Sequence, residues 1–317
     1  MEQKNFGMIG VAGYIAPRHL KAIHETKNTL LAAFDPRDSV GVIDSYFPGA
    51  NFFTEFERFD RHIEKIRLNN QKEQIDYISI CSPNYLHDSH IRFALRNGSN
   101  AICEKPIVLN PHNIDALLNI EANSGRRVYT ILQLRLHPAI LNLKSKIESS
   151  MKNDKYDVDL TYITSRGNWY LHSWKGDIDK SGGIATNIGV HFFDMLYFLF
   201  GNISINIVNE HTEKYASGFI EFEKARVRWF LSIDSNHIPT SLKLQGKRTF
   251  RSLNINGEEV EFSDGFTDLH TKIYEDILLG KGFGLEENRP AIQAVSDIRN
   301  SHQIGLKGDF HPFLLKI

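Results

Sequence analysis

The sequence has few cysteines, no long apolar run and almost no net charge. Its 317 residues include two cysteines, 37 basic and 38 acidic side chains, for a net charge of -1. Two thiols cannot build a disulfide framework or a four-ligand metal site, so we expect no metal and predict that Cys81 and Cys103 are inert thiols in buried strands. The near-balance of charge provides no basic surface for nucleic acid.

Export and membrane signals are also absent from the pattern. No run of about 18 apolar residues occurs, and the first residues, MEQKNFGMIGVAG, lack the basic and apolar stretches of a signal peptide. We therefore expect a cytoplasmic protein with no membrane partner. Neither the G-x-S-x-G motif of hydrolases nor a P-loop occurs, which disfavours both enzyme classes.

The length predicts two domains, since a usual domain has about 150 residues. In residues 1–133, short β-branched runs alternate with amphipathic stretches, which is typical of βαβ units and a doubly wound parallel sheet. We predict strands and intervening helices there, at 6–11, 29–34, 76–81, 100–103 and 128–133 and at 16–26, 55–69, 84–98 and 111–124 respectively.

Residues 134–317 follow a different pattern and predict an α+β domain. Alternating polarity indicates an open, mostly antiparallel sheet. The predicted strands lie at 157–163, 203–211, 215–223, 225–234 and 248–255, and the predicted helices at 139–151, 267–280 and 288–304, with a buried apolar helix at 192–200. A sheet face left uncovered by its own helices must be buried elsewhere, so we expect a homo-oligomer.

A glycine turn follows the first predicted strand and precedes a helix. Residues 10–16 read GVAGYIA, an imperfect match to the dinucleotide fingerprint G-x-G-x-x-G. We expect the pyrophosphate of a dinucleotide to lie on the backbone at Gly10, Gly13, Tyr14 and Ile15. Asp35 ends strand two, where a carboxylate accepts ribose hydroxyls and repels a 2′-phosphate, which favours NAD over NADP. Arg37, two residues later, could stack on the adenine or meet a phosphate.

Two further stretches carry a family resemblance. They read CSPNYLH at 81–87 and NGSNAICEKP at 97–106. Here the chain resembles the glucose-fructose oxidoreductase, inositol dehydrogenase and rhizopine catabolism family, known as Gfo/Idh/MocA. The resemblance implies a Rossmann domain followed by an α/β domain, NAD as cofactor, and a Lys105 that faces nicotinamide and substrate. The further cofactor contacts that we predict are Ser82, Pro83, Asn84, His87, Glu104, Lys105, Gln133, Trp174 and Lys175.

Catalytic candidates come from both predicted domains. Lys105 follows a central strand, where its ammonium can stabilise an alkoxide that develops as hydride leaves. Asn187 and His191 are four residues apart, so on an α-helix they share one face, and the imidazole can accept the hydroxyl proton. Many relatives have Asp at the position of Asn187, so an Asp-His dyad is missing. The sequence leaves open whether His191 or Lys105 is the base.

The stretch 166–177, RGNWYLHSWKGD, combines aromatic, amide and cationic groups that suit an anionic sugar. Together with 133–138 and 187–194, it resembles the branch of the family that oxidises the C3 hydroxyl of UDP-N-acetyl-2-amino-2-deoxyglucuronate on a bacterial route to surface polysaccharide. The resemblance implies a tetramer before a dimer, and some members of this branch reoxidise NADH with 2-oxoglutarate. We predict substrate contacts from Lys105, Arg135, Arg166, Asn168, Tyr170, Lys175, Asn187 and His191.

Three alternatives remain at this stage. The chain could oxidise another sugar or inositol, in which case it has no uridine site. It could be an NAD-retaining glycosidase or lyase, which shows no net NADH. It could also be a nucleotide sensor without catalysis, although a sensor needs neither Lys105 nor His191.

Overall fold

The computed structural model describes residues 2–69, 74–150, 154–262 and 268–317. The chain forms two compact units. The first comprises Met1–Gln133 and Asp268–Asn288, and the second comprises Leu134–Thr267 and Arg289–Ile317. The sequence-based division placed 268–288 in the second domain, whereas the structure places this segment in the first unit.

The first unit is built on a six-stranded parallel sheet. Its strands lie in the order β3-β2-β1-β4-β5-β6, which is the strand order of a doubly wound dinucleotide-binding fold and confirms the predicted fold class. All carboxyl ends therefore meet at one edge. The strands are β1 (Asn5–Ile9), β2 (Thr29–Phe34), β3 (Asn51–Phe53), β4 (Tyr77–Ile80), β5 (Asn100–Cys103) and β6 (Val128–Thr130).

Helices connect these strands as the apolar periodicity predicts. They are α1 (Ala16–Glu25), α2 (Phe56–Asn69), α3 (His87–Arg96) and α4 (Pro111–Ser124). Proline lies in the first turn of α1 and of α4, where its missing N–H costs no helical bond. α4 ends at Gly125, whose φ of 64° is the left-handed conformation that glycine adopts without strain.

A late segment of the chain completes this unit. Helix α10 (Leu269–Leu278) buries Tyr274, whose ring stacks on Phe6 of β1 at 5.9 Å between centroids. The Tyr274 hydroxyl lies 2.6 Å from the Ser79 hydroxyl on β4. These buried contacts explain why 268–288 belongs to the first unit, although it follows the second unit's strands in the sequence.

The second unit contains a six-stranded mixed sheet. Its order is β12-β11-β7-β10-β9-β8, with β7 and β10 parallel and the other pairs antiparallel. This confirms the predicted open, mostly antiparallel sheet. The strands are β7 (Tyr156–Thr164), β8 (Ile203–His211), β9 (Tyr215–Phe222), β10 (Ala225–Ser232), β11 (Thr249–Ile255) and β12 (Glu258–Glu259).

One strongly apolar helix forms much of this unit's core. The helices are α5 (Pro138–Ser149), α6 (Trp169–His172), α7 (Ile178–Ser181), α8 (Val190–Phe200), α9 (Thr240–Leu244) and, from Arg289 onward, α11 (Leu285–Asn300). In α8, Phe193 lies edge-on to Trp229 at 5.3 Å. Ile178–Phe200 is, in length and composition, apolar enough to cross a membrane, and 72% of its most apolar window is buried inside the protein, as in the core helix of a folded unit.

The predicted elements largely match the observed ones. Every predicted strand and every predicted helix has an observed counterpart, whereas β3, α6, α7, α9 and β12 were not predicted. Residue 151, at the end of one predicted helix, and residue 267, at the start of another, lie outside the described residues.

Candidate functional site

The glycine turn after β1 is as tight as the fingerprint predicts. Gly10 has a φ of 85°, and a Cβ on it would lie 2.6 Å from the carbonyl carbon of Cys81. A Cβ on Gly13 would lie 3.0 Å from the Gly10 carbonyl oxygen. Only glycine at position 10 allows β1 to turn this close to the end of β4.

The amino end of α1 is open to an anion. Its first turn contains no acidic residue and its N-cap makes no side-chain cap. Within the described part of the chain, the backbone N–H groups of Tyr14 and Ile15 donate to no protein acceptor. The Tyr14 side chain is 94% exposed. Free amides at a positive helix end are a binding site for a pyrophosphate.

Asp35 follows β2 and braces this turn. Its carboxylate is buried and accepts hydrogen bonds from the N–H of Ala12 at 3.0 Å and the N–H of Arg37 at 2.9 Å. A carboxylate has about four acceptor positions, so two remain for ribose hydroxyls. The Arg37 side chain is exposed. Asp35 thus combines its predicted ribose-binding position with a structural role that the sequence did not predict.

The loop after β4 holds several of the predicted cofactor contacts. Pro83 is half-buried, and Asn84 begins a single 3-10 turn and is buried. The Ser82 hydroxyl lies 2.8 Å from His90 Nδ1. The His87 ring is buried, with Nδ1 2.7 Å from the Pro106 carbonyl oxygen and Nε2 2.8 Å from the Ser82 carbonyl oxygen. His87 therefore ties this loop to the next one, which differs from the cofactor contact that we predicted for it.

The loop after β5 carries Glu104 and Lys105. The Lys105 side chain is half-buried, and the Lys105–Pro106 peptide bond is cis. Glu104 is buried, and its Oε1 accepts from Nε2 of His19 at 3.0 Å and of His270 at 3.2 Å. Burial raises the pKa of the Glu104 carboxyl, but the hydrogen bonds from His19 and His270 and the electrostatic attraction of these two rings together hold the pKa well below its usual value. The carboxylate is therefore ionised at neutral pH.

The pairing of Glu104 with two histidines was not predicted. His19 precedes Glu104 by 85 residues, and His270 follows it by 166, so no local motif connects them. The three ligand atoms lie within 4.8 Å of one another, close enough to surround a metal ion. A further predicted cofactor contact, Gln133, is half-buried and is the last residue of the segment 1–133 that belongs to the first unit.

In the second unit, the segment at 166–177, which includes the short helix α6, presents cationic and aromatic groups. Arg166 and Asn168 are exposed, as the substrate prediction requires. Lys175 Nζ lies 4.0 Å from the ring centroid of Trp174 and 5.9 Å from that of Trp169. Such stacking limits the directions that the ammonium can take while leaving it able to meet an anionic ligand.

Tyr170 and Asn187 form a pair in the second unit. Tyr170 is buried, and its hydroxyl accepts a hydrogen bond from the Asn187 side-chain amide. Burial raises the pKa of Tyr170, and the hydrogen bond from Asn187 opposes this shift. Both residues were predicted as substrate contacts. The structure shows them bonded to each other, so Asn187 helps to fix the Tyr170 hydroxyl.

The helix that carries Asn187 and His191 is not α-helical throughout. Ala185–Gly189 is π-helical, and α8 begins at Val190. Asn187 therefore lies in the π-helical turn and His191 in the first turn of α8, so the predicted pair spans the junction of two helix types, and its shared face stays a prediction. The His191 ring packs on Phe192 at 4.1 Å and edge-on to Tyr162 at 6.0 Å.

Arg135 was predicted as a substrate contact, and here the structure corrects the prediction. The guanidinium forms a bidentate ion pair with Asp194 of α8, with Nε–Oδ2 and Nη2–Oδ1 distances of 2.9 and 2.7 Å. The two side chains are only 7% and 2% exposed. The buried ion pair with Asp194 gives Arg135 a structural role in holding α8. If Arg135 left Asp194 to bind a ligand, the buried carboxylate would lose its counter-charge, which is energetically costly.

Family models match both units. An "Oxidoreductase family, NAD-binding Rossmann fold" model matches residues 4–131, and an "Oxidoreductase family, C-terminal alpha/beta domain" model matches residues 154–300. Among curated proteins, inositol 2-dehydrogenase of Rhizobium meliloti is 26% identical over 203 residues. That match spans 64% of this chain and only 56% of the length of the inositol dehydrogenase.

Solved structures of one bacterial dehydrogenase are much more similar. The WlbA (WbpB) dehydrogenase of Thermus thermophilus in complex with NAD and alpha-ketoglutarate is 51% identical, with a TM-score of 0.94. Its complex with NAD and UDP-GlcNAcA is 50% identical, with a TM-score of 0.93. Each match covers 98% of this chain and 100% of the other. The chain, matched over both of its units, belongs to the Gfo/Idh/MocA family of oxidoreductases and has that family's NAD-binding Rossmann domain.

Proposed function

We propose that this protein catalyses the NAD-dependent oxidation of the C3 hydroxyl of UDP-N-acetyl-2-amino-2-deoxyglucuronate (UDP-GlcNAcA) to the 3-keto sugar. One observation carries most of the proposal. A protein 50% identical over 98% of this chain has been solved with NAD and UDP-GlcNAcA bound. The geometry of the separate units adds to this support.

The first unit fits NAD. The cradle at Gly10 has no room for a Cβ, the amides of Tyr14 and Ile15 are available to a pyrophosphate, and Asp35 has acceptor positions left for a ribose. When bound, NAD supplies the acceptor for the hydride that leaves the sugar carbon. Asp35 disfavours NADP because a buried carboxylate repels a 2′-phosphate.

The second unit offers groups suited to an anionic sugar nucleotide. We assign the uronate and the diphosphate to Arg166, Asn168 and Lys175, whose charged and amide groups match those ligands. Tyr170 contributes the hydroxyl that Asn187 holds in place. Binding of these remote anionic groups orients the reacting carbon, which is how binding energy is converted into rate.

Two side chains carry the chemistry in this proposal. Lys105, just after β5, hydrogen-bonds the reacting hydroxyl and stabilises the alkoxide that develops. His191, in the first turn of α8, accepts the hydroxyl proton. The carbon loses a hydride and the oxygen loses a proton, so the sugar loses two hydrogen atoms.

The decisive experiment offers NAD and UDP-GlcNAcA to the purified protein. We expect NADH absorbance to rise and mass spectrometry to find a product lighter by two hydrogen atoms. Three other compounds are tested for comparison. They are UDP-N-acetylglucosamine, which differs by lacking the carboxylate, and the two substrates without a nucleotide, free glucose and inositol. NADH formation from the free sugar or inositol alone would contradict the proposed substrate. Cleavage of a glycoside without net NADH would favour the NAD-retaining hydrolase instead.

Variants test the two assigned side chains. We expect Lys105→Ala and His191→Ala each to lower kcat by about 100-fold or more, in line with typical effects of a general base or of a group that stabilises a developing oxyanion. Lys65→Ala and His112→Ala are matched controls because both side chains are exposed on helices. Unchanged turnover in both test variants would favour the alternative that the protein is a nucleotide sensor without catalysis.

A second reaction at this site has its own support. A protein 51% identical has been solved with NAD and alpha-ketoglutarate bound. We propose that 2-oxoglutarate reoxidises the bound NADH, which allows the enzyme to turn over without releasing the cofactor. The test adds 2-oxoglutarate to protein loaded with NADH and follows loss of NADH absorbance together with formation of 2-hydroxyglutarate. Release of NADH on every cycle would contradict it.

We further propose a homo-oligomer, a tetramer before a dimer, located in the cytoplasm. Large apolar side chains that remain exposed in the second unit, such as Leu244 at 85% and Leu315 at 68%, support association. Light scattering after gel filtration should give about four times the subunit mass of 36.3 kDa. A single species of 36.3 kDa would contradict the proposal.

A further inference from the structure

A buried chain of polar side chains lies behind Lys105, and the proposed reaction does not use it. It begins at Ser79 on β4, whose hydroxyl lies 2.6 Å from the Tyr274 hydroxyl. That hydroxyl lies 2.7 Å from Nδ1 of His19, and Nε2 of His19 lies 3.0 Å from Oε1 of Glu104. His270 Nε2 reaches the same oxygen at 3.2 Å. All of these groups belong to the first unit.

The ionised carboxylate of Glu104 sets the direction of every hydrogen bond in this chain. Because it can only accept, both His19 and His270 donate from Nε2. Burial lowers the pKa of His19, so its ring is neutral and Nδ1 is an acceptor. The Tyr274 hydroxyl must then donate to His19, and it accepts from Ser79. One arrangement of protons satisfies all of these hydrogen bonds.

This chain of hydrogen bonds ends at the backbone N–H of Lys105. The second carboxylate oxygen of Glu104, Oε2, accepts from the Lys105 N–H at 3.2 Å. The Glu104 N–H in turn donates to the Ile80 carbonyl oxygen on β4 at 3.0 Å. The peptide that carries Lys105 is therefore held from two sides, by the sheet and by the Glu104 side chain.

The geometry favours hydrogen bonds over a metal at this cluster. The two Nε2–Oε1 distances of 3.0 and 3.2 Å match N–H···O hydrogen bonds. A metal would require Nε2 of both histidines to be deprotonated, which would remove the donors that Glu104 needs. The anionic form of Glu104 is explained by the two N–H donors.

We propose that Glu104 is a positioning residue, held by His19 and His270, which fixes the backbone at Lys105 and thereby the direction of its ammonium group. This inference rests on the proposed function, since the activity it affects is the oxidation assigned to Lys105. The loss of Glu104 positioning should affect the chemical step of the reaction. Neither histidine needs to touch the cofactor or the sugar.

The main test removes one donor from Glu104. His270→Leu deletes the N–H, whereas His270→Gln keeps an N–H donor on a side chain of similar reach. We expect His270→Leu to lower kcat by about 10- to 100-fold, as small misplacements of a reacting group do, with the KM values for NAD and UDP-GlcNAcA changed by less than about threefold. His270→Gln should recover most of the loss. Equal losses in both variants, or a change in KM alone, would contradict the proposal.

A double-mutant cycle separates positioning from general damage. In the Lys105→Ala background, His270→Leu should cost less than about twofold in residual kcat, because the group that it positions is gone. A loss as large as that in the native background would show that His270 does not act through Lys105. If His270→Leu does not fold, Tyr274→Phe, which removes the hydroxyl that donates to His19 and accepts from Ser79, enters the same cycle with a smaller expected loss and the same criterion.

Hydrogen exchange gives a readout that needs no substrate. Pro106 has no N–H, so exchange at 105–106 reports the Lys105 amide alone. We expect this amide to exchange about tenfold faster in His270→Leu and at the native rate in His270→Gln. Unchanged exchange would overturn the positioning role even if the enzyme is active. Native protein that does not oxidise UDP-GlcNAcA refutes the proposed function, and the exchange result still decides the positioning. Stoichiometric metal in the isolated protein would also overturn it.

Discussion

Replacing Arg135 by Met tests whether this residue braces the fold or binds substrate. The change removes the cation that pairs with Asp194 and keeps a long apolar side chain of similar length. The carboxylate of Asp194 would remain 2% exposed without its two hydrogen bonds from Arg135. Removing one partner of such a buried pair costs about 3–5 kcal/mol of unfolding free energy.

That loss should be visible as a large fall in stability of the second unit. For a unit of this size, 1 kcal/mol shifts Tm by about 2–4 °C, so we expect Tm to drop by about 6–20 °C. All three tryptophans of the chain, Trp169, Trp174 and Trp229, lie in the second unit, so urea unfolding followed by tryptophan fluorescence reports on it directly.

Two controls complete this experiment. Arg226→Met removes the partner of Asp309 at 3.0 Å in the same unit, where the side chains are 50% and 46% exposed, and should cost less than about 1 kcal/mol. Arg135→Met combined with Asp194→Leu leaves no unpaired charge and should recover most of the loss. Arg135 would bind substrate rather than brace the fold if Arg135→Met left stability within about 1 kcal/mol of the native protein while KM for UDP-GlcNAcA rose steeply.

Three further outcomes are expected. Gly10→Ala should abolish measurable NAD binding by calorimetry, because its Cβ would meet the Cys81 carbonyl, whereas Gly125→Ala, also at positive φ but in open space, should leave NAD affinity unchanged. Asp35→Asn should weaken NAD binding about 10- to 150-fold, the usual value of a charged hydrogen bond, and bring the Kd values for NAD and NADP closer together. An unchanged ratio of these two Kd values would contradict the ribose assignment. Burial lowers the pKa of His90 to about 4, so its neutral form contributes stability that is complete above pH 6.5 and is lost as pH falls toward 4. Between pH 7 and pH 4, the free energy of unfolding should therefore fall by about 3 kcal/mol less in His90→Gln than in the native protein, as measured by urea titration. An equal fall in both proteins would refute this role of His90.

The fold was largely predictable because apolar periodicity decides most of it. Strands of four or more residues with β-branched runs, and helices of ten or more with one apolar face, were placed within a few residues. The three-residue β6 was predicted because it opens a longer apolar run, VYTIL at 128–132, whereas the three-residue β3 and the four-residue α6 and α7 were not, because so few residues carry no period. The π-helical turn at Ala185–Gly189 was not predicted either, because the spacing of apolar residues in so short a segment does not separate a π-helix from an α-helix.

The site was predictable where a motif fixes the backbone and unpredictable where distant residues meet. Gly10 and Asp35 were identified because turn, strand and helix must occur in that order around a dinucleotide. The pairing of Arg135 with Asp194 joins residues 59 apart, and that of Glu104 with His270 joins residues 166 apart. A charged residue looks the same in a sequence whether it meets a ligand or a partner within the protein, so only the structure separates these cases.

The return of α10 to the first unit constrains the order in which this protein can be made. During synthesis, β1 to β6 leave the ribosome long before Tyr274 and His270, which come only after all six strands of the second sheet. Until then Nδ1 of His19 and the hydroxyl of Ser79 lack the Tyr274 hydroxyl as their partner, and the nascent dinucleotide-binding unit lacks helix α10. A polypeptide stopped at residue 133 should therefore be a substrate for chaperones and proteases rather than a working NAD binder.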